Sequence, residues 1–234
     1  MGNFLYLDCF SGISGDMFLS SLLDLGISTS LFISEIKKMP ISFEIEIKKI
    51  QKHNISATQV KIKEEEHHHH RPARELIRII QESPFPSPIK EKAQEMVRKI
   101  AEVEAKIHGA DPQEIYLHEV GGVDTIVDIT GVLIALHMLE IDEIRSSPIP
   151  TGHGWVESAH GLLPIPAPAT LELLRGIPIY SGEIEGELTT PTGAVLVSSL
   201  SKSFGSLPSC QIEKIGYGAG ERDYSYPNVL RAIM

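Results

Sequence analysis

Asn3 to Leu7, NFLYL, is apolar without a helical period and predicts a buried strand, which passes through the glycine-bearing loop DCFSGISGDM into helical spacing from Met17 to Leu25. A second helix is predicted over Leu31 to Met39 and ends at Pro40. Ser42 to Ile50 alternates apolar and charged residues, the period of a half-buried strand, and Val60 to Lys63 predicts its hairpin partner, with His53, Asn54 and Ile55 in the turn. Helices are expected over Pro72 to Gln81 and, beyond the three prolines between Ser83 and Pro88, over Ile89 to His108, closed by Gly109. Val123 to about Leu139 suits a buried helix. Glu143 to Ser146 is strand-like, the glycines and prolines between Pro148 and Pro168 predict a long loop of fixed shape, and Ala167 to Leu174 restarts a helix. Pro178 to Tyr180, a helix after TTPTG and a final strand-like stretch complete the chain. Helices interleaved with strands predict an α/β fold, a mixed sheet with flanking helices, as a single unit over 1–234 with a sub-boundary near 84–88.

Five stretches carry candidate chemistry. In the first loop, the backbone amides around Ser11, Gly12, Ser14 and Gly15 at a helix start suit a phosphate, while Asp8 and Asp16 favour a cation. A tight turn with Asp16 as helix cap explains the same residues without a ligand. EEEHHHHR, Glu64 to Arg71, cannot be buried; its histidines His67, His68, His69 and His70 make a flexible His-rich loop suited to collecting nickel, copper or zinc. LHEVGGVDTIVD places His118 and Glu119 before a glycine turn and Asp124 and Asp128 four apart on one helix face, so an imidazole and carboxylates can converge. Helix capping by Asp124 is the plain alternative. The long loop holds His153, Trp155, Glu157 and His160, and Thr190, Thr192 and Gly193 open a helix in a manner that suits either phosphate binding or capping.

Composition narrows the picture by exclusion. A hydrophobic share of 42% and a charged share of 22% describe a folded globular chain, and a net charge of -10 opposes a broad nucleic-acid or anionic membrane surface. The two cysteines form no disulfide framework and suit a reducing cytoplasm. The N-terminus has no signal-peptide pattern, and no apolar run reaches the ~18 residues of a membrane span.

Taken together, YLDCFSGISGDMFLSSLLDLG, the histidine tract, LHEVGGVDTIVDITG, SSPIPTGHGWVESAHGLLPIPAPATLELL, GELTTPTGA and GYGAGERDYSYPNVLR resemble the LarC family of nickel insertion proteins, in order along nearly the whole chain. The resemblance implies a CTP-dependent cyclometallase that inserts nickel into pyridinium-3,5-bisthiocarboxylic acid mononucleotide to make the nickel-pincer cofactor of lactate racemase-type enzymes. It implies metal handling by Asp8, Asp16, His67 to His70, His118, Asp124 and Asp128. Because metallating the ring releases a proton, it also implies a base, with Glu119 and His160 as candidates. Family members continue into a C-terminal domain associated with nucleotide and metal. Ending at Met234, the chain is expected to be the N-terminal part, with CTP and Mg2+ or Mn2+ acting through the absent domain. The implied partners are the mononucleotide, the family's C-terminal half and further copies of the chain. Two other readings use the same residues: a non-catalytic nickel storage or delivery protein, which needs only the tract, and a magnesium-dependent phosphotransfer enzyme built on DCFSGISGD and TTPTG.

Overall fold

A computed structural model of the chain describes residues 3–64, 71–117, 122–158 and 161–234. In order, its elements are β1 (Asn3–Asp8), α1 (Gly15–Asp24), α2 (Thr29–Ile36), β2 (Phe43–Lys52), β3 (Ile55–Glu64), α3 (Ala73–Glu82), α4 (Ser87–His108), α5 (Val123–Met138) and β4 (Ile141–Ser146). They continue with β5 (Ile149–Pro150), β6 (Trp155–Ser158), β7 (Gly161–Pro164), α6 (Pro168–Leu173), β8 (Ile179–Tyr180), α7 (Pro191–Leu200), β9 (Ser201–Phe204), β10 (Ile215–Ala219) and β11 (Val229–Ile233). The predicted α/β fold is present: a mixed seven-stranded sheet in the order β2-β3-β10-β11-β1-β4-β9, with helices packed against it.

β1, β4 and β9 are parallel neighbours, while β11 runs antiparallel to both β1 and β10. The final strand therefore lies inside the sheet. The β2–β3 hairpin pairs in unbroken register from Phe43 opposite Glu64 to Lys52 opposite Ile55. His53 and Asn54 adopt left-handed φ of 47° and 65°, so two residues close the turn and Ile55 already belongs to β3, which is longer than its apolar pattern predicts.

β10, like β9, is a strand of the main sheet that periodicity did not find. Gly216 and Gly218 replace the apolar residues expected on one of its faces, and a Cβ on Gly218 would lie 1.9 Å from the Met17 carbonyl oxygen. Helix α1 therefore rests on bare strand backbone, closer than any side chain would permit. On the other side of α1 runs α5, buried from Thr125 to Leu136 and packed also against α2 and α4. Phe85, within the proline-rich segment before α4, is buried in the same apolar core. The long loop after β4 is partly built from strands: β5 pairs with β8, and β6 with β7. No helix among the described residues is long and apolar enough to cross a membrane.

Candidate functional site: a cleft with three carboxylates

The loop after β1 is stitched to the segment before α7. Ile13 donates its amide to the Leu188 carbonyl at 3.1 Å and accepts from the Thr190 amide at 3.2 Å. Consequently the starts of α1 and α7 stand side by side, and α5 begins opposite them across a cleft of about 360 Å³. Ser14 caps α1 by accepting from the Met17 amide at 3.4 Å, and its hydroxyl donates to the Asp16 carboxylate. Thr190 caps α7 by accepting from the Gly193 amide at 3.2 Å. Both cap residues also line the cleft.

Asp16, Asp124 and Asp128 face this space together. Asp128 is 8% exposed, and its Oδ1 has no hydrogen-bond partner among the described residues. Burial first, then the negative charges of Asp16 and Asp124, hold its carboxyl well above the ordinary carboxylate range. Asp16 is raised by burial, against the opposing hydrogen bond from Ser14. Asp124 stands nearer the mouth and accepts from the Thr125 amide at 2.8 Å; loss of water there, with Glu64 nearby, raises it too. Such a group of carboxylates is destabilised by its own charge and is relieved by a proton or a cation. Among the described residues no three His, Cys, Asp or Glu side chains stand close enough to hold a metal ion by themselves.

A further wall of the cleft comes from β3 and from the loop between β10 and β11. Lys61, Glu221, Arg222, Tyr224 and Asn228 line it, together with Glu187 from the segment before α7. Arg222 donates to the Glu187 carbonyl at 3.3 Å, and the Tyr224 hydroxyl donates to the same carbonyl at 3.0 Å. Both cationic side chains on this wall stand beside a carboxylate of the same wall, Lys61 at 3.7 Å from Glu221 and Arg222 at 3.8 Å from Glu187.

A family model described as nickel insertion protein matches residues 5–234. The chain belongs to the nickel insertion protein family. Among relatives of this family, the chain is 51% identical over 231 residues to a putative nickel insertion protein of Dictyoglomus thermophilum, covering 98% of this chain and 60% of that protein. It is 47% identical over 227 residues to the pyridinium-3,5-bisthiocarboxylic acid mononucleotide nickel insertion protein of Desulfitobacterium hafniense strain DCB-2, covering 97% and 56%. The protein of the same name from Staphylococcus saprophyticus is 46% identical over 234 residues, covering 100% and 60%. The chain thus spans 56% to 60% of the length of these relatives. No solved structure matches it.

The family's sequence blocks are distributed unevenly about the cleft. Asp16, Ser14, Asp124, Asp128 and Thr190 line it. Asp8 does not: its carboxylate accepts from Arg231, at 3.1 Å from Nε and at shorter range from Nη2. Ser11 is buried beneath the β10–β11 loop, within 3.5 Å of Asn228 Oδ1, and Gly12 packs against Leu188. Gly15 abuts Asp128, Gly193 abuts the Ile13 carbonyl, and Thr192 is buried in the first turn of α7. His67 to His70, His118, Glu119 and His160 lie outside the described residues. Sequence reasoning missed the wall that carries Lys61 and Arg222. The available signal was GAGERDYSYPN, a glycine- and tyrosine-rich stretch between two strands that carries the adjacent charges Glu221, Arg222 and Asp223.

Proposed function

We propose that this chain takes part in inserting nickel into pyridinium-3,5-bisthiocarboxylic acid mononucleotide, and that metal and mononucleotide meet in the cleft between α1, α5 and α7. The observation that carries this reading is Asp128, a buried carboxylate with an unpartnered oxygen beside two further carboxylates. A divalent cation is the partner that such a group lacks. The family supplies the identity of that cation, since the relatives are named for nickel insertion. Nickel is a substrate here, carried to the cleft and joined to the mononucleotide.

In this reading the negative charge of Asp16, Asp124 and Asp128 draws nickel into the cleft, and His118 is a further candidate ligand, since nickel accepts imidazole well. The tract His67 to His70 collects the ion. Bonding nickel to a ring carbon releases the proton that carbon carried, and Glu119 or His160 takes it. CTP with Mg2+ or Mn2+ acts through the part of the family's length that this chain does not span. The chain is then a single N-terminal domain, working in the reducing cytoplasm with a C-terminal half of the same family as its partner.

The test is to incubate the chain, alone and with that C-terminal half, with nickel, CTP and the bisthiocarboxylic mononucleotide, and to look for the nickel-containing product by mass. Product is expected from the pair, and Asp128→Asn is expected to lower its rate by roughly tenfold or more, the effect of losing a charged ligand contact. No product from the wild-type pair overturns the proposed function. Unchanged turnover by Asp128→Asn removes the cleft from it.

A further inference from the structure

We propose that the cleft holds two half-sites, with Asp16, Asp124 and Asp128 taking the cation and the arginine fork of Arg222 taking the phosphate of a pyridinium mononucleotide. This rests on the reading of the cleft as the place where metal and mononucleotide meet. It adds the orientation of the ligand and the residue that selects for its phosphate.

Two independent features carry it. Asp128 is more than nine-tenths buried, lines the cleft and has an oxygen without a partner among the described residues, which calls for a cation or a donor on that side. In the same lining, the backbone under Arg222 is held by groups from elsewhere in the chain. The buried Lys52 ammonium donates to the carbonyls of Glu221 and Arg222, both at 3.2 Å, and to Asp223 Oδ1 at 2.5 Å. Asn228 Nδ2 donates to the same Arg222 carbonyl at 2.9 Å, and the His53 ring lies 2.9 Å from the Tyr224 carbonyl oxygen. Lys52 and His53 sit at the tip of the β2–β3 hairpin, so this hairpin clamps the loop that carries Arg222.

A fixed backbone with a half-exposed guanidinium is a preorganised anion receptor. The guanidinium donates to the Glu187 carbonyl at 3.3 Å and stands 3.8 Å from the Glu187 carboxylate. These contacts aim it along the cleft wall and use only part of its five N–H donors. The fork of an arginine matches a terminal phosphate in a way that the neighbouring Lys61, a point charge 3.7 Å from Glu221, cannot. A mononucleotide carries its phosphate at one end and its ring at the other, and the cleft's volume of about 360 Å³ suits a ligand of that class.

Binding of three probes to the 234-residue chain is measured by calorimetry: nicotinate mononucleotide, the corresponding riboside without phosphate, and CTP. The mononucleotide is expected to bind tightest, and Arg222→Gln to weaken it by roughly tenfold or more while leaving the riboside within about twofold, as for loss of a charge-assisted hydrogen bond. Arg222→Lys is expected to recover part of the loss, with thermal melts confirming that both variants are folded. Equal weakening of mononucleotide and riboside, no weakening of either, or an Arg222 dependence confined to CTP overturns the assignment. The nickel-product assay separates the two levels. Normal product formation by Arg222→Gln at an unchanged mononucleotide requirement sinks the phosphate assignment alone, whereas no product from the wild-type pair sinks the reading beneath it.

Discussion

Gly15 and Asp128 compete for one space: a Cβ placed on Gly15 would stand 2.3 Å from Asp128 Oδ2 and 2.8 Å from its Cβ. The start of α1 thus presses on the first turns of α5 at the point where the buried carboxylate enters the cleft. The missing side chain at position 15 is what makes room for that carboxylate.

Gly15→Ala is therefore expected to do two things at once. It should destabilise the fold by about 1–3 kcal/mol, the usual effect of overpacking, and it should weaken nickel binding by displacing Asp128. Gly205→Ala is the control, because a Cβ there meets nothing within 4 Å, and it should stay within about 0.5 kcal/mol of wild type. Denaturant melts and nickel titrations on both variants check this; a Gly15→Ala protein that matches wild type in both would refute the close approach.

Asp128 also sets a pH dependence. Burial, and then the charges of Asp16 and Asp124, hold its carboxyl well above the ordinary carboxylate range, so the folded chain binds a proton more readily than the unfolded chain. Its contribution to stability is therefore fully present below the unfolded-state value and is lost as pH rises through the folded-state value. In Asp128→Asn this loss is absent. Measured in chelator, stability of the variant relative to wild type should rise with pH across that window. A difference independent of pH would mean that Asp128 is not held protonated by its surroundings.

The two thiols should differ in reactivity. Burial pushes the Cys9 thiol up to about 12, only partly offset by hydrogen bonds from Ser146 and Ser147, whereas Cys210 is exposed. At pH 8 an alkylating reagent should modify Cys210 in the folded protein and reach Cys9 only after unfolding, because the thiolate is the reacting form. Peptide mapping distinguishes the sites, and rapid labelling of Cys9 in the native state would contradict its burial beside β1.

Much of the scaffold could be read from local pattern. The apolar run at 3–7, the alternation at 42–50, the helical spacing of 89–108 and the proline and glycine breaks between them report the preferences of nearby residues, and the corresponding elements are present. The chemistry-bearing loops were legible for the same reason: glycine beside ionisable residues and a run of histidines are local signals, and six blocks in family order point to nickel insertion.

Tertiary structure decided which of those residues meet. β10 escaped detection because Gly216 and Gly218 have no apolar side chains to show a period, yet their bareness lets α1 sit low enough on the sheet to bring Asp16 towards Asp128 on α5. Asp8, one loop away from Asp16, is instead drawn to Arg231 by the antiparallel pairing of β1 with β11. Arg222 lies in a stretch without periodicity, and the groups that hold it, Lys52, His53 and Asn228, come from a distant hairpin and from the edge of β11. A residue's chemistry is carried by its own side chain and could be read in place. Its partners depend on how closely backbones approach across the sheet, and only the packed chain determines that.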